Sequence, residues 1–224
     1  MAHQEQPGQI IILNGVPRSG KSSIAASIQD TFDGLWMNLG VDGFMQMTPA
    51  RFLPGMGLRP GGERPDLEPF IPILYRALYE SIASHSRLGL NVVVDVGHHD
   101  GYASHQGILK ECARRLNGLP VLFVGVRCPI GIIMERRRNT GWNEGDSADV
   151  PVPHPVRLWQ REVHIPGIYD LEVDTSALSP GECAEVIRRR LEMTSDPTAF
   201  QRLAAMPMEQ YREAALGPVE RAYE

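Results

Sequence analysis

The stretch QIIILNGVPRSGKSS, residues 9–23, decides the fold. Its first part is an apolar run of strand length, and SSIAASIQDTF behind it reads as a helix. Between them, Gly15 and the later Gly20-Lys21-Ser22 match G-x-x-x-x-G-K-[ST], the P-loop, in the strand–loop–helix context that the motif requires. The spacing has a physical purpose. Glycine adopts backbone conformations barred to other residues, so the loop Gly15, Val16, Pro17, Arg18, Ser19, Gly20 can turn its N–H groups inward around a phosphate. The helix that follows, with Ser23 in its first turn, aims its positive dipole end at the same anion. Lys21 is expected to reach the β- and γ-phosphates of ATP, and the Ser22 hydroxyl to ligate Mg²⁺.

The rest of the chain supports an α/β reading. Short apolar runs recur at NVVVDV, PVLFVGV and YDLEVDT, with a weaker strand at WMNLGVD. Helical patterns alternate with them at 21–31, 71–87, 104–116, 129–138 and 180–193. This order predicts a three-layer P-loop NTPase or kinase fold, with a mainly parallel central sheet flanked by helices. Residues 48–70 and 139–155 are rich in Pro and Gly or in polar residues and interrupt the rhythm. The second of these follows the basic helix end ERRR and reads as part of a mobile lid spanning about 136–158. A kinase domain over 1–193 and a C-terminal helical extension over 194–224 result, the latter opening with Ser195 and Asp196 as cap candidates.

Bulk properties exclude some classes. A net charge of −5 argues against nucleic acid as the main partner, because binding a phosphate backbone needs a basic face. No apolar run reaches the length of a membrane span, and the N-terminus lacks the basic-then-apolar layout of a signal peptide. Cys112, Cys128 and Cys183 are odd in number and show no metal-ligand spacing, so they read as reduced thiols of a cytoplasmic protein. Homo-oligomerisation stays open.

Acids and arginines supply the remaining site candidates. Asp95 ends the strand NVVVDV, on the side of a parallel sheet where ligands bind, and is expected beside the metal. A solvated turn residue is the competing reading. Asp42, at the end of WMNLGVD, fits either a general base for an attacking hydroxyl or a helix cap. Among Arg136, Arg137 and Arg138, Arg136 is the candidate for countering the charge of the transferring group and Arg138 for touching the nucleotide. Cations at a helix C-terminus are equally at home in solvent. Arg127 is expected at a strand end facing the same cleft, and His98-His99 in a loop that either lines the acceptor pocket or is solvated. Phe44, Met45, Met47 and Phe52 offer apolar surface for an acceptor or for the core.

The ordered series IIILNGVPRSGKSSI, LGVDGF, NVVVDV, LFVGVRCP, REVH and YDLEVDTS resembles the chloramphenicol phosphotransferase family of small P-loop kinases, over roughly residues 9–193. The resemblance implies ATP-dependent phosphorylation of a primary hydroxyl on a small molecule, with Asp42 as general base. It carries the P-loop roles onto Gly15, Gly20, Lys21 and Ser22. The chain departs from the family pattern where Val96 follows Asp95, in the 48–70 insertion and in the lid. Those are the places where an acceptor would be contacted, so a sugar, aminocyclitol or nucleoside-like acceptor stands beside an antibiotic. A nucleotide-hydrolysing switch is the reading from another class; the N-K-x-D stretch of a GTPase is missing.

Overall fold

The computed structural model describes residues 6–104, 106–139, 151–193 and 195–215. Five parallel strands stand in the order β2 (Trp36–Asn38), β3 (Asn91–Val96), β1 (Ile10–Asn14), β4 (Val121–Arg127), β5 (Leu171–Asp174). Helices α1 (Lys21–Thr31), α2 (Val41–Met47), α3 (Ile71–Arg87), α4 (Ile108–Arg115), α5 (Ile130–Asn139), α6 (His154–Glu162), α7 (Pro180–Glu192), α8 (Ala199–Ala205) and α9 (Met208–Ala215) surround them. The expected mainly parallel sheet is thus parallel throughout.

Alternate residues of the central strands feed two cores. Ile10, Ile12, Val92, Val94 and Phe123 pack with Tyr75, Leu78, Tyr79 and Ile82 of α3. Ile11, Leu13, Val93, Leu122 and Val124 pack instead with Ile24 and Ile28 of α1 and with Cys183, Ala184 and Ile187 of α7. Burial of both sheet faces is why these strands appear as unbroken apolar runs and not as alternating patterns. Register then delivers the site. Leu13 pairs with Asp95, so the carboxylate leaves β3 beside the strand that runs into the P-loop.

Two local expectations need correction. The weak strand ends at Asn38, and Asp42 lies in the first turn of α2. A helix of seven residues containing Gly43 carries too little apolar periodicity to announce itself. The helix expected from 104 begins at Ile108, because Gly107 stands in the left-handed region at φ 62° and Asp100 accepts from the Gln106 and Gly107 N–H groups. The Pro/Gly-rich segment 48–70 is organised as three short 3₁₀ turns, at Ala50–Phe52, Gly55–Gly57 and Glu68–Phe70.

Ser195 and Asp196 do not cap α8. Thr198 holds the N-cap position, and Asp170, just before β5, accepts from the Thr198 and Ala199 N–H groups at 2.7 and 2.9 Å. The other Asp170 oxygen accepts from Phe123 N at 3.0 Å, tying the helix start to β4. At the opposite end, the Lys110 ammonium donates to Ala204 O at 3.0 Å. Ala199, Phe200 and Leu203 are buried in the α3 core. Asp170→Ala would leave three N–H donors without this acceptor, and a loss of about 1–3 kcal/mol is expected in urea unfolding followed by circular dichroism.

Candidate active site

The P-loop leaves β1 through backbone that most residues avoid. Arg18 and Gly20 have φ of 68° and 95°. At Gly15 a Cβ would meet Val126 O at 2.6 Å and Ser19 Oγ at 2.8 Å, so only glycine lets the loop turn against β4. The outer side of the loop is braced. Thr175 Oγ1 donates to Ser19 O at 2.7 Å, and Arg136 donates to Arg18 O at 3.2 Å and to Thr175 O at 2.8 Å. Arg136 therefore reaches the P-loop backbone. Arg137 is buried, and Arg138 is exposed at the end of α5. Residues 140–150 of the expected lid lie outside the described residues.

Below the loop, Ser22 Oγ donates to Asp95 Oδ2 at 2.7 Å, bringing together the two residues expected at the metal. A Cβ on Gly40 would fall on the Asp95 carboxylate, so the residue before α2 must be glycine for this pair to form. Lys21 donates to Val16 O at 2.8 Å. Lys21 is half-buried on the cleft, and desolvation lowers its pKa to about 8 against the opposing attraction of Asp95 and Asp42. The fields of both acids thus reach Lys21.

These groups open onto a cleft of about 660 Å³. Gly15, Lys21, Ser22, Asp42, Met45 and Trp159 all line it. A second depression of about 410 Å³ is lined by Gly20, Lys21, Ser22 and Ser23 on one hand and by Arg136, Thr175 and Leu178 on the other. Of the four expected apolar residues only Met45 lines the cleft: Phe44 and Phe52 pack on the core, and Met47 is exposed.

Two further expectations fail on geometry. Arg127 Nε donates to Glu172 at 2.8 Å across the β4–β5 edge, away from the cleft lining. His98 is buried, stacked on Tyr75 at 4.5 Å and within 2.7 Å of the Tyr79 hydroxyl; desolvation lowers its pKa to about 3 and keeps it neutral. It serves the core.

Thr175 and Trp159 escaped the sequence reading. Thr175 belongs to the YDLEVDTS segment, whose small polar residue after a strand gave no hint of a P-loop contact. Trp159 did carry a signal: with Val163 it forms an i, i+4 apolar pair, which packs on Val16, Cys128 and Ile133.

A parallel 2-3-1-4-5 sheet with a P-loop after β1 defines the fold of small P-loop kinases. The Mycobacterium tuberculosis APS kinase CysC, solved in complex with AMPPNP and APS, shares it at TM-score 0.57 and 16% identity over 84% of this chain and 99% of that one. The Deinococcus radiodurans tunicamycin resistance protein does so at TM-score 0.56 and 19% identity, over 85% and 99% of the two chains. The sequence profile of the chloramphenicol phosphotransferase-like family matches residues 8–192, and the chain belongs to that family. The candidate O-phosphotransferase Rv2636 of Mycobacterium tuberculosis (strain H37Rv) is 27% identical over 215 residues, 88% of either chain. Among the described residues, no helix is long and apolar enough to cross a membrane.

The lowered Lys21 pKa has a measurable consequence. The protonated amine is the form that attracts phosphate, so ATP affinity of the free protein is expected to hold below pH 8 and to fall as pH rises through it. Titration calorimetry between pH 6.5 and 9.5 checks this, and Lys21→Arg should abolish the decline because guanidinium does not titrate there.

Proposed function

We propose that the protein is an ATP-dependent kinase that phosphorylates a hydroxyl group of a small molecule. The observation that carries this reading is one cleft holding a P-loop lysine, the Ser22–Asp95 pair and the Asp42 carboxylate together. A nucleotide switch needs no base at the acceptor side, whereas phosphoryl transfer to a hydroxyl does.

The donor set fits magnesium. Ser22 and Asp95 supply hard oxygen ligands beside the loop, and no cluster of three or more His, Cys, Asp or Glu ligands occurs among the described residues. Mg²⁺ prefers such a site, with one or two protein oxygens completed by phosphate and water. When bound, Mg²⁺ neutralises charge on the β- and γ-phosphates. The P-loop N–H groups hold the phosphates, and Lys21 leaves Val16 O to meet them. Asp42 accepts the proton of the acceptor hydroxyl as that oxygen forms its bond to phosphorus, and ADP leaves. Arg136 keeps the outer side of the loop in place and is near enough to counter negative charge there. The acceptor lies along Met45 and Trp159. Chloramphenicol and sugar, aminocyclitol or nucleoside-like alcohols are the acceptors to try.

ADP release with ATP·Mg²⁺ against a panel of these alcohols tests the reading. Turnover is expected with an acceptor and not without one, and a fall of at least about a hundredfold is expected in Asp42→Asn and Lys21→Ala. ADP release indifferent to every acceptor and to Asp42→Asn would favour the switch. Gly40→Ala probes the metal pair separately: displacement of Asp95 should raise the Mg²⁺ concentration for half-maximal turnover by about tenfold with little change in the melting temperature.

A further inference from the structure

The cleft contains a cation that the mechanism above does not use. Arg59 lines the cleft and is half-buried, yet its guanidinium has no hydrogen bond or ion pair with any described residue. Its backbone, in contrast, is held on both sides. His99 Nε2 donates to Leu58 O at 2.8 Å, and Gly61 N donates to Gly101 O at 3.1 Å. Leu58 is 1% exposed and Pro60 is buried. His99 is neutral, since desolvation lowers its pKa to about 4, so the Nε2–H donor persists at physiological pH.

A half-buried guanidinium without a partner, carried on fixed backbone, is a ready anion receptor. Its surroundings favour an occupant from solution. Met45, Met56 and Trp159 on the same cleft bring no charge, and Glu63, exposed at its edge, forms no ion pair with Arg59. The Trp159 ring lines the same cleft, while its indole N–H is buried and does not face the occupant. Arg59 does not spring from the elements that build the phosphate end. It comes from the 3₁₀-rich segment, which also supplies Met56. Without a counter-cation, an anionic acceptor would be repelled by Asp42 and by the nucleotide phosphates.

The geometry points to an acceptor that carries an anionic group, a carboxylate, bound by Arg59 while its hydroxyl faces Asp42. This inference rests on the kinase reading and narrows its substrate class to hydroxy acids. Arg59 is then a specificity residue, not a catalytic one.

The test is binding by titration calorimetry to the protein loaded with AMPPNP·Mg²⁺, using hydroxy acids each paired with its own primary amide. The pairs keep hydroxyls and shape and differ in charge. At least one acid is expected to bind about tenfold to a hundredfold more tightly than its amide. Arg59→Ala should reduce that ratio to about one, and Arg59→Lys should keep part of it. Acids and amides binding alike across the set, or a preference that survives Arg59→Ala, would overturn the inference. So would a tenfold loss of AMPPNP affinity in Arg59→Ala, which would assign the guanidinium to the nucleotide. Failure of the kinase reading shows elsewhere, as ADP release that no acceptor stimulates; the charge preference is decided by binding alone. Where an acid does turn over, Arg59→Ala should raise its KM and leave kcat within about threefold.

Discussion

A single buried amide organises the site. Asn14 is the last residue of the central strand, fully buried, and immediately precedes the P-loop. Its Nδ2 donates to Val163 O at 2.8 Å and to the Tyr169 hydroxyl at 2.9 Å, while its Oδ1 accepts from His98 N at 2.9 Å. Those partners lie in the loop after β3 and in the chain between α6 and β5. One side chain thereby locks three chain segments at the strand end where the phosphate loop begins. A buried amide with unmet hydrogen bonds is costly, so this arrangement admits few alternatives.

The extension of that network explains the buried histidines. His164 Nδ1 lies 2.8 Å from the Tyr169 hydroxyl, and His98 Nε2 reaches the Tyr79 hydroxyl of α3. Burial lowers the pKa of each to about 3, with the positive charges of Arg127 and Lys21 adding to the effect at His164. Neutral imidazoles can accept and donate within the core without a desolvated charge. His98 and His164 are thus fasteners between α3, the P-loop strand and β5.

What the sequence makes legible follows from how locally each feature is determined. The P-loop, α1, α3 and the buried strands depend on spacing and on apolar runs within one segment, and their positions agree with those read from sequence. The Ser22–Asp95 pair was legible too, because strand ends in a parallel sheet converge on one edge. Features determined by distant partners were not. Asp170 caps a helix 29 residues away, while the nearer Ser195 and Asp196 do not. Arg127 turns to Glu172 because β5 lies next to β4, a pairing invisible in the local sequence. Asp42 reaches the cleft from a short helix that starts beside a space only Gly40 leaves open. Arg59 was hidden in a segment whose Pro and Gly content announces turns and nothing about which side chain faces inward.

The hydrogen bonds of Lys21 and Ser22 bear on how phosphate enters. Both donors are occupied within the protein, Lys21 by Val16 O and Ser22 by Asp95. These two donors are therefore satisfied before any ligand arrives. Binding must exchange these contacts for stronger ones. A carbonyl is a neutral acceptor, so giving it up for phosphate oxygens is favourable for an ammonium. The Ser22 hydroxyl is bonded to a carboxylate, a charged acceptor, and leaves it readily only if that charge finds another partner. In the kinase reading proposed above, a divalent cation held by Ser22 and Asp95 would provide one, which would couple release of the Ser22 hydroxyl to metal binding and make the phosphate and metal sites interdependent.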